Sequence, residues 1–189
     1  RRYQLMKEVR LALEELKDDN AIGLCLANIA SVYKELGNLP SSLEYNQKAL
    51  EMLEKAGNKI ALGHLLNNLS NLLDDMKEYE KALEYMQRAI RIREEMGDKN
   101  GLAVSYVNLA TLYSKMKKEE QAMEYYMRAV TLLEETGDEN GKAVAFAQIG
   151  NLFLESGKPE QAVNYLLKAQ EILKTVGNKT QLKDTYRSL

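Results

Sequence analysis

Residues 97–136 read GDKNGLAVSYVNLATLYSKMKKEEQAMEYYMRAVTLLEET, and this stretch decides the fold. Shifted by 40 residues in either direction, it falls on a near copy of itself. Gly97-Asp98-Lys99 is matched by Gly57-Asn58-Lys59, Gly137-Asp138-Glu139 and Gly177-Asn178-Lys179. Tyr45, Tyr85, Tyr125 and Tyr165 share one register; Ala49, Ala89, Ala129 and Ala169 share another. Leu13, Leu53, Leu133 and Leu173 share a third, in which Arg93 is the exception. No gap is needed. A fixed period of this size signals a repeat architecture in which each unit buries its apolar face on its neighbours.

Within the stretch the apolar spacing predicts two helices. Tyr106, Leu109, Ala110 and Tyr113 stand at i, i+3, i+4 and i+7, which marks a first helix from about Asn100 to Met116. Ala122, Tyr125, Ala129, Leu132 and Leu133 mark a second, from about Glu119 to Glu135. The breaks inside the pairs are Gly37-Asn38, Lys77-Glu78, Lys117-Lys118 and Gly157-Lys158. Glycine fits a left-handed turn there, whereas lysine costs roughly 1 kcal/mol. Pro40 and Pro159 fall at the starts of second helices, where a missing N–H does no harm. The glycines at 57, 97, 137 and 177 read as C-caps, and Asp98, Asp138 and Asn178 as N-caps of the helices that follow. Small residues recur at one point of each first helix (Ala30, Ser70, Ala110, Gly150) and of each second (Ser42, Ala82, Ala122, Ala162), where two backbones approach closely. Leu26, Leu66, Tyr106 and Phe146 fill the space beside them.

The pattern Tyr106, Leu109-Ala110, Tyr113, Ala122, Tyr125-Tyr126 and Ala129 resembles the tetratricopeptide repeat (TPR) family over essentially the whole chain. The resemblance implies an all-α TPR α-solenoid, a right-handed superhelix of antiparallel helix pairs. The long period resembles the 40-residue repeats of the Pins-like spindle-orientation adaptors and of bacterial TPR signalling domains. Kinesin light chain repeats are close, at a slightly longer period. No Trp occupies the first large position, and the usual Pro near the end of the second helix is absent. The expected division is 1–16 (second helix of a partial repeat), repeats 17–56, 57–96, 97–136 and 137–176, and 177–189 (first helix of a truncated repeat). Such ends lack polar capping helices, and the expectation is a fragment of a longer protein.

Composition narrows the function classes. Of 189 residues, 26 are Lys or Arg and 28 Asp or Glu, for a net charge of −2, which argues against a general nucleic-acid binder. One Cys and one His leave no disulfide, no thiolate metal site and no usual hydrolytic triad. No run approaches the ~18 apolar residues of a membrane span. The N-terminus lacks the apolar core of a signal peptide, and the expected setting is cytoplasmic. Gly137-Asp138-Glu139-Asn140-Gly141-Lys142 is one residue short of a phosphate loop, lacks its Ser/Thr and follows no strand. Asn68-Leu69-Ser70 and Asn178-Lys179-Thr180 are glycosylation sequons by pattern, the first inside a helix. The expectation is no enzyme, no cofactor and no metal.

At 100° per residue, one face of the first helix lies opposite its core stripe, and in a stacked array it lines a concave groove. Repeats then form ladders. The first is Asn28, Asn68, Asn108 and Gln148; the second is Ser31, Asn71, Thr111 and Asn151. The row above is Leu24, His64, Val104 and Val144, and the row below Glu35, Asp75, Lys115 and Glu155. A carboxamide both donates and accepts, so it pairs with an extended peptide backbone without demanding one sequence. By the resemblance, Asn28, Asn68 and Asn108 contact a peptide backbone, and Gln148 departs from the pattern. The competing reading has these residues capping or bridging neighbouring helices. The clamp by which cochaperone TPRs hold a C-terminal carboxylate is missing: Lys34 and Lys115 stand beside Glu35, Asp74, Asp75 and Glu155. A neutral or mildly basic peptide fits better.

Other single residues read as structure. Cys25 matches Leu65, Ser105 and Ala145, a packing position. His64 reads as solvated, Arg93 as snorkelling toward a Glu, and the eleven tyrosines as packing. The function that follows is a protein-interaction scaffold binding a peptide segment in the groove. The alternative is a sensory or regulatory module of a larger signalling protein, binding another domain or a peptide signal. Self-association through terminal helices is a third class.

Overall fold

The computed structural model describes residues 18–177. Readings that fall on 1–16 and 178–189, including the partial repeats and the Asn178 cap, lie outside the described residues. Eight helices occupy the described residues, and none is long and apolar enough to cross a membrane. The helices are α1 (Asp19–Glu35), α2 (Leu39–Ala56), α3 (Lys59–Asp75), α4 (Tyr79–Met96), α5 (Lys99–Lys115), α6 (Glu119–Thr136), α7 (Glu139–Glu155) and α8 (Pro159–Val176). The architecture is all-α and solenoid-like, made of stacked helical hairpins. It divides into two compact units, Arg1–Met96 and Gly97–Leu189.

In the first unit, α1 pairs with α2 and α3 with α4, and the hairpins stack through α2 on α3 and α1 on α3. In the second, α5–α6 and α7–α8 repeat that plan, with α6 on α7 and α5 on α7. The turns are built as their residues require. Gly57, Gly97, Gly137 and Gly177 hold φ between 66° and 71°, the left-handed region. Lys77 and Lys117 hold φ of 63° and 59°, the same conformation without glycine's ease. The side chains of Asp18, Asn38, Asn58, Asp98 and Asp138 each accept an N–H from the first turn of the helix they open, at 2.8–3.2 Å.

The small residues act as the repeat requires. Ala30, Ser70 and Ala110 are fully buried in first helices, and Ser42, Ala82, Ala122 and Ala162 in second helices. Ser70 satisfies its hydroxyl by donating to the Ala82 carbonyl at 2.8 Å. At Gly150 an added Cβ would stand 2.7 Å from Leu166 Cγ and 3.3 Å from the Ala162 carbonyl oxygen, so glycine permits the close approach. Around these contacts Leu53, Leu66, Leu69 and Leu109 are at most 1% exposed. Removing such a side chain costs about 2–5 kcal/mol.

The open ends of three of the four described hairpins carry an ion pair. Lys59 meets Glu95, and Lys99 meets Glu135, both at 2.8 Å. In the first hairpin the polarity is reversed: Asp19 meets Lys55 at 2.8 Å. The pair persists while its charges exchange places; in the fourth hairpin the same registers hold Glu139 and Thr175, and Glu139 pairs instead with Lys142 on its own helix. Being largely exposed and screened by water, each pair contributes little to stability.

Arg93 corrects the sequence reading. It is 4% exposed, so it does not snorkel to water. Its stem and Nε lie over Gly63, where an added Cβ would sit 3.5 Å from Nε. The tyrosines do pack: Tyr33 stacks on Tyr45 at 5.2 Å between centroids, and Tyr113 on Tyr125 at 5.6 Å. Lys48 and Arg128 lie over the Tyr45 and Tyr125 rings.

Candidate functional site

The residues at issue lie on first helices, on the side away from the buried stripe. In the first unit α1 exposes Leu24, Asn28 and Ser31, and α3 exposes His64 and Asn68, with Asn71 half-buried. The spacing of i, i+4 and i+7 keeps them on one face. Among the described residues the carboxamides of Asn28 and Asn68 make no hydrogen bond, so both edges of each amide face solvent. Ser31 is partly spent, donating to the Ala27 carbonyl of its own helix at 3.2 Å. Lys34 on α1 is neutralised by Asp75 on α3 at 2.8 Å. Glu35 is exposed beside it. No free cation is left in this row of the first unit to clamp a carboxylate.

In the second unit α5 presents Val104, Asn108, Thr111 and Lys115, and α7 presents Val144, Gln148, Asn151 and Glu155. Val104 is 52% exposed. Thr111 is engaged in the fold: its hydroxyl lies 3.0 Å from the Val107 carbonyl and 3.0 Å from the Tyr126 hydroxyl. Tyr126 is buried on α6, and that burial raises its pKa above the usual value, with the Thr111 contact opposing the shift. Glu155 sits 3.5 Å from the buried Ser114 hydroxyl, which donates to it. These two residues line a small recess of about 190 Å³ beside Lys117, Glu119, Leu152 and Ser156. Glu119 has its carboxyl held low by hydrogen bonding to Lys158.

A larger cleft, of about 320 Å³, opens between α5 and α7. Val104, Val107 and Val144 wall it, with Ala103 and Leu133 beneath. Asn108, Asn140, Gly141 and Asp138 complete its lining. Of the residues singled out from sequence, Val104, Asn108 and Val144 come together here. Gln148, Thr111 and Asn151 lie on the same faces but outside the cleft lining. Val107, Leu133, Asp138 and Asn140 are additions. The helical wheel missed them because the cleft is a seam between two helices and reaches the capping turn before α7, which a single-helix projection does not contain.

Among the described residues no group of three or more His, Cys, Asp or Glu is arranged to hold a metal. Cys25 is half-buried, and burial pushes its thiol pKa up, away from a reactive thiolate.

The comparisons with known proteins agree with this architecture. No curated protein matches at the level of sequence. Among solved structures, the chain is similar to aspartyl phosphate phosphatase F from Bacillus subtilis, at 19% identity and a TM-score of 0.86, over 97% of this chain and 48% of that one. It is similar to a Rap protein complexed with competence and sporulation factor, at 19% identity and a TM-score of 0.81, over 95% of this chain and 50% of that one. It is similar to a signal transduction ATPase with numerous domains from Pyrococcus horikoshii, which carries a tetratricopeptide repeat sensor: 20% identity, TM-score 0.83, 97% of this chain and 28% of that one. The chain spans half or less of each of these proteins. The sequence profile described as "Tetratricopeptide repeat" matches residues 24–95, 64–135 and 101–175. The chain belongs to the tetratricopeptide repeat family.

Proposed function

We propose that this chain is a non-catalytic protein-interaction scaffold that holds a peptide segment against the outward faces of its first helices. The observation that carries the reading is the α5–α7 cleft, an apolar recess of about 320 Å³ with carboxamides at its edge. Small-molecule and side-chain sites have this character: mostly apolar walls with a few polar groups to orient the ligand. Asn28, Asn68 and Asn108 would pair with the ligand's backbone, with Ser31, Asn71, Gln148 and Asn151 beside them. Leu24, His64, Val104 and Val144 would supply side-chain contact, and Lys115 a charge at the lower edge. A neutral or basic segment suits the row in which Lys34 is already paired with Asp75. The peptide bound by the Rap protein of similar fold supports the choice of ligand class. We place the protein in the cytoplasm, where a fold that needs no disulfide is at no disadvantage.

The likeness to a sensor built from the same repeats favours a second reading, a regulatory module that binds another domain of its own chain or a peptide signal. The two differ in partner, not in surface. A pull-down with the intact chain, followed by mapping of the captured segment, separates them. Capture of a separate protein's segment supports the adaptor; a segment from the same polypeptide supports the module. Self-association through terminal helices is tested by light scattering across concentration, and a strictly monomeric species removes it.

A further inference from the structure

We propose that the cleft between α5 and α7 is a side-chain pocket. It takes one aliphatic residue of the bound segment and sets a neighbouring lysine or arginine against Asp138. This rests on the peptide-binding reading above and narrows it to a ligand chemistry. The volume comes first. About 320 Å³ exceeds the ~150 Å³ of a cavity that holds benzene, so a branched aliphatic side chain and part of its backbone fit. The surface comes next. Val104, Val107 and Val144 wall the cleft over Leu133, and Val104 is 52% exposed, so filling it removes apolar surface from water.

Charge selects the neighbour. Asp138 is the single ionisable side chain lining the cleft. One of its oxygens accepts the Gly141 N–H at 2.8 Å, as the cap of α7. The nearby cations are already matched: Lys142 with Glu139, and Lys99 with Glu135, both at 2.8 Å. The rim therefore carries one carboxylate that caps a helix and has no ion-pair partner among the described residues. It favours a cation on the ligand and disfavours a second carboxylate.

The test uses the full chain with ¹³C-methyl-labelled valine and three probes: acetyl-Leu-Lys-amide, acetyl-Leu-Glu-amide and acetyl-Ser-Lys-amide. The leucine probes should move the methyl signals of Val104, Val107 and Val144, and the serine probe should not. Acetyl-Leu-Lys-amide should bind about threefold more tightly than acetyl-Leu-Glu-amide. Asp138→Asn keeps the helix cap, as Asn38 and Asn58 do elsewhere in the chain. It should erase the lysine-over-glutamate preference and leave the leucine-dependent shifts. Val144→Phe should fill the cleft and abolish the shifts at Val104 and Val107, with helicity checked by circular dichroism; if it fails to fold, Asp138→Asn still decides. Equal binding of the lysine and glutamate probes, shifts confined to residues outside the cleft, or no shifts at all would overturn the proposal. So would valine shifts that follow protein concentration before any probe is added, because a second copy would then occupy the cleft. If the cleft stays silent while Asn68 and Asn108 variants lose partner affinity, the pocket falls and the peptide-binding reading stands.

Discussion

The seam between α1 and α3 and the seam between α5 and α7 occupy the same place in their units but are built from different residues, and the second holds the cleft of about 320 Å³. In the first unit Asn58 caps α3 through its oxygen and donates its amide to Asn20 Oδ1 at 2.7 Å, tying the two first helices together. The residues in the same registers of the second unit are Asn100 and Asp138. A carboxylate caps as well as a carboxamide but has no N–H to give, so Asp138 cannot donate as Asn58 does, and a charge stands at the rim of the cleft. Leu62 is buried beside the first seam, whereas its counterpart Lys142 is only half-buried and turns to Glu139. Of the nine residues that line the cleft, only Asn108 and Leu133 keep the residue type found at the same register of the first unit, Asn28 and Leu53.

The comparison breaks most visibly in the floor of each seam. Leu53 lies under the first seam at 1% exposure and Leu133 under the second at 3%. Each change to Ala should cost about 2–5 kcal/mol, with the smaller loss at Leu133, which lines the cleft. Urea unfolding of the two variants measures this, and equal losses would mean the seams do not differ in packing.

Gly150→Ala comes next, at about 1–3 kcal/mol, since its Cβ would press on Leu166. Ala30 and Ser70 in the first unit and Ala110 in the second carry a Cβ at this register, and Ala30 is fully buried, so Ala30→Gly should cost about 1–2 kcal/mol through helix propensity and the lost methyl. Thermal melts of the pair measure the two costs; the same close approach recurs in the first unit at Gly23, where an added Cβ would stand 2.7 Å from Leu53 Cγ.

Exchanging the caps sharpens the contrast directly. Asn58→Asp keeps the cap and removes the donor to Asn20, which should cost about 1 kcal/mol. The smallest effect belongs to the turns. Lys77→Gly or Lys117→Gly relieves a left-handed non-glycine residue and should add about 0.5 kcal/mol, after the entropy that glycine gives the unfolded chain is subtracted.

The units also differ at high pH. The buried Tyr126 has a raised pKa in the folded state, so its contribution is complete below the ordinary tyrosine pKa and lost as pH climbs through the folded value. Its first-unit counterparts, Asn46 and Met86, do not titrate. Tyr126→Phe should flatten the alkaline limb of the stability profile, at the expense of the Thr111 contact. An unchanged alkaline limb would show that another group governs it.

The helical pairs, their caps and the small-residue contacts were legible in the sequence because each repeats at a fixed period and each answers to a local rule. Gly57 could be read as a left-handed cap, and Ala82 as a contact point, without any knowledge of neighbours. Arg93 was not legible in the same way: a long side chain at a leucine register reads equally as snorkelling or buried, and only tertiary packing over Gly63 decides. The candidate site was half legible. The wheel found Val104, Asn108 and Val144 because they share one direction on their helices. It missed Asp138 and Leu133 because the cleft is closed by a cap and by a second helix, which meet the valines only after the hairpins stack. Thr111 looked like a groove residue by register, but its contact with Tyr126 depends on a tyrosine that only this repeat carries.

The central claim is that the outward faces of the first helices grip a peptide through carboxamides. Calorimetric titration of the captured partner segment against the intact chain and against an Asn68→Ala/Asn108→Ala variant tests it most directly. Loss of two hydrogen bonds should weaken binding by about tenfold or more while the melting temperature holds. Unchanged affinity, with the variant folded, would contradict the account.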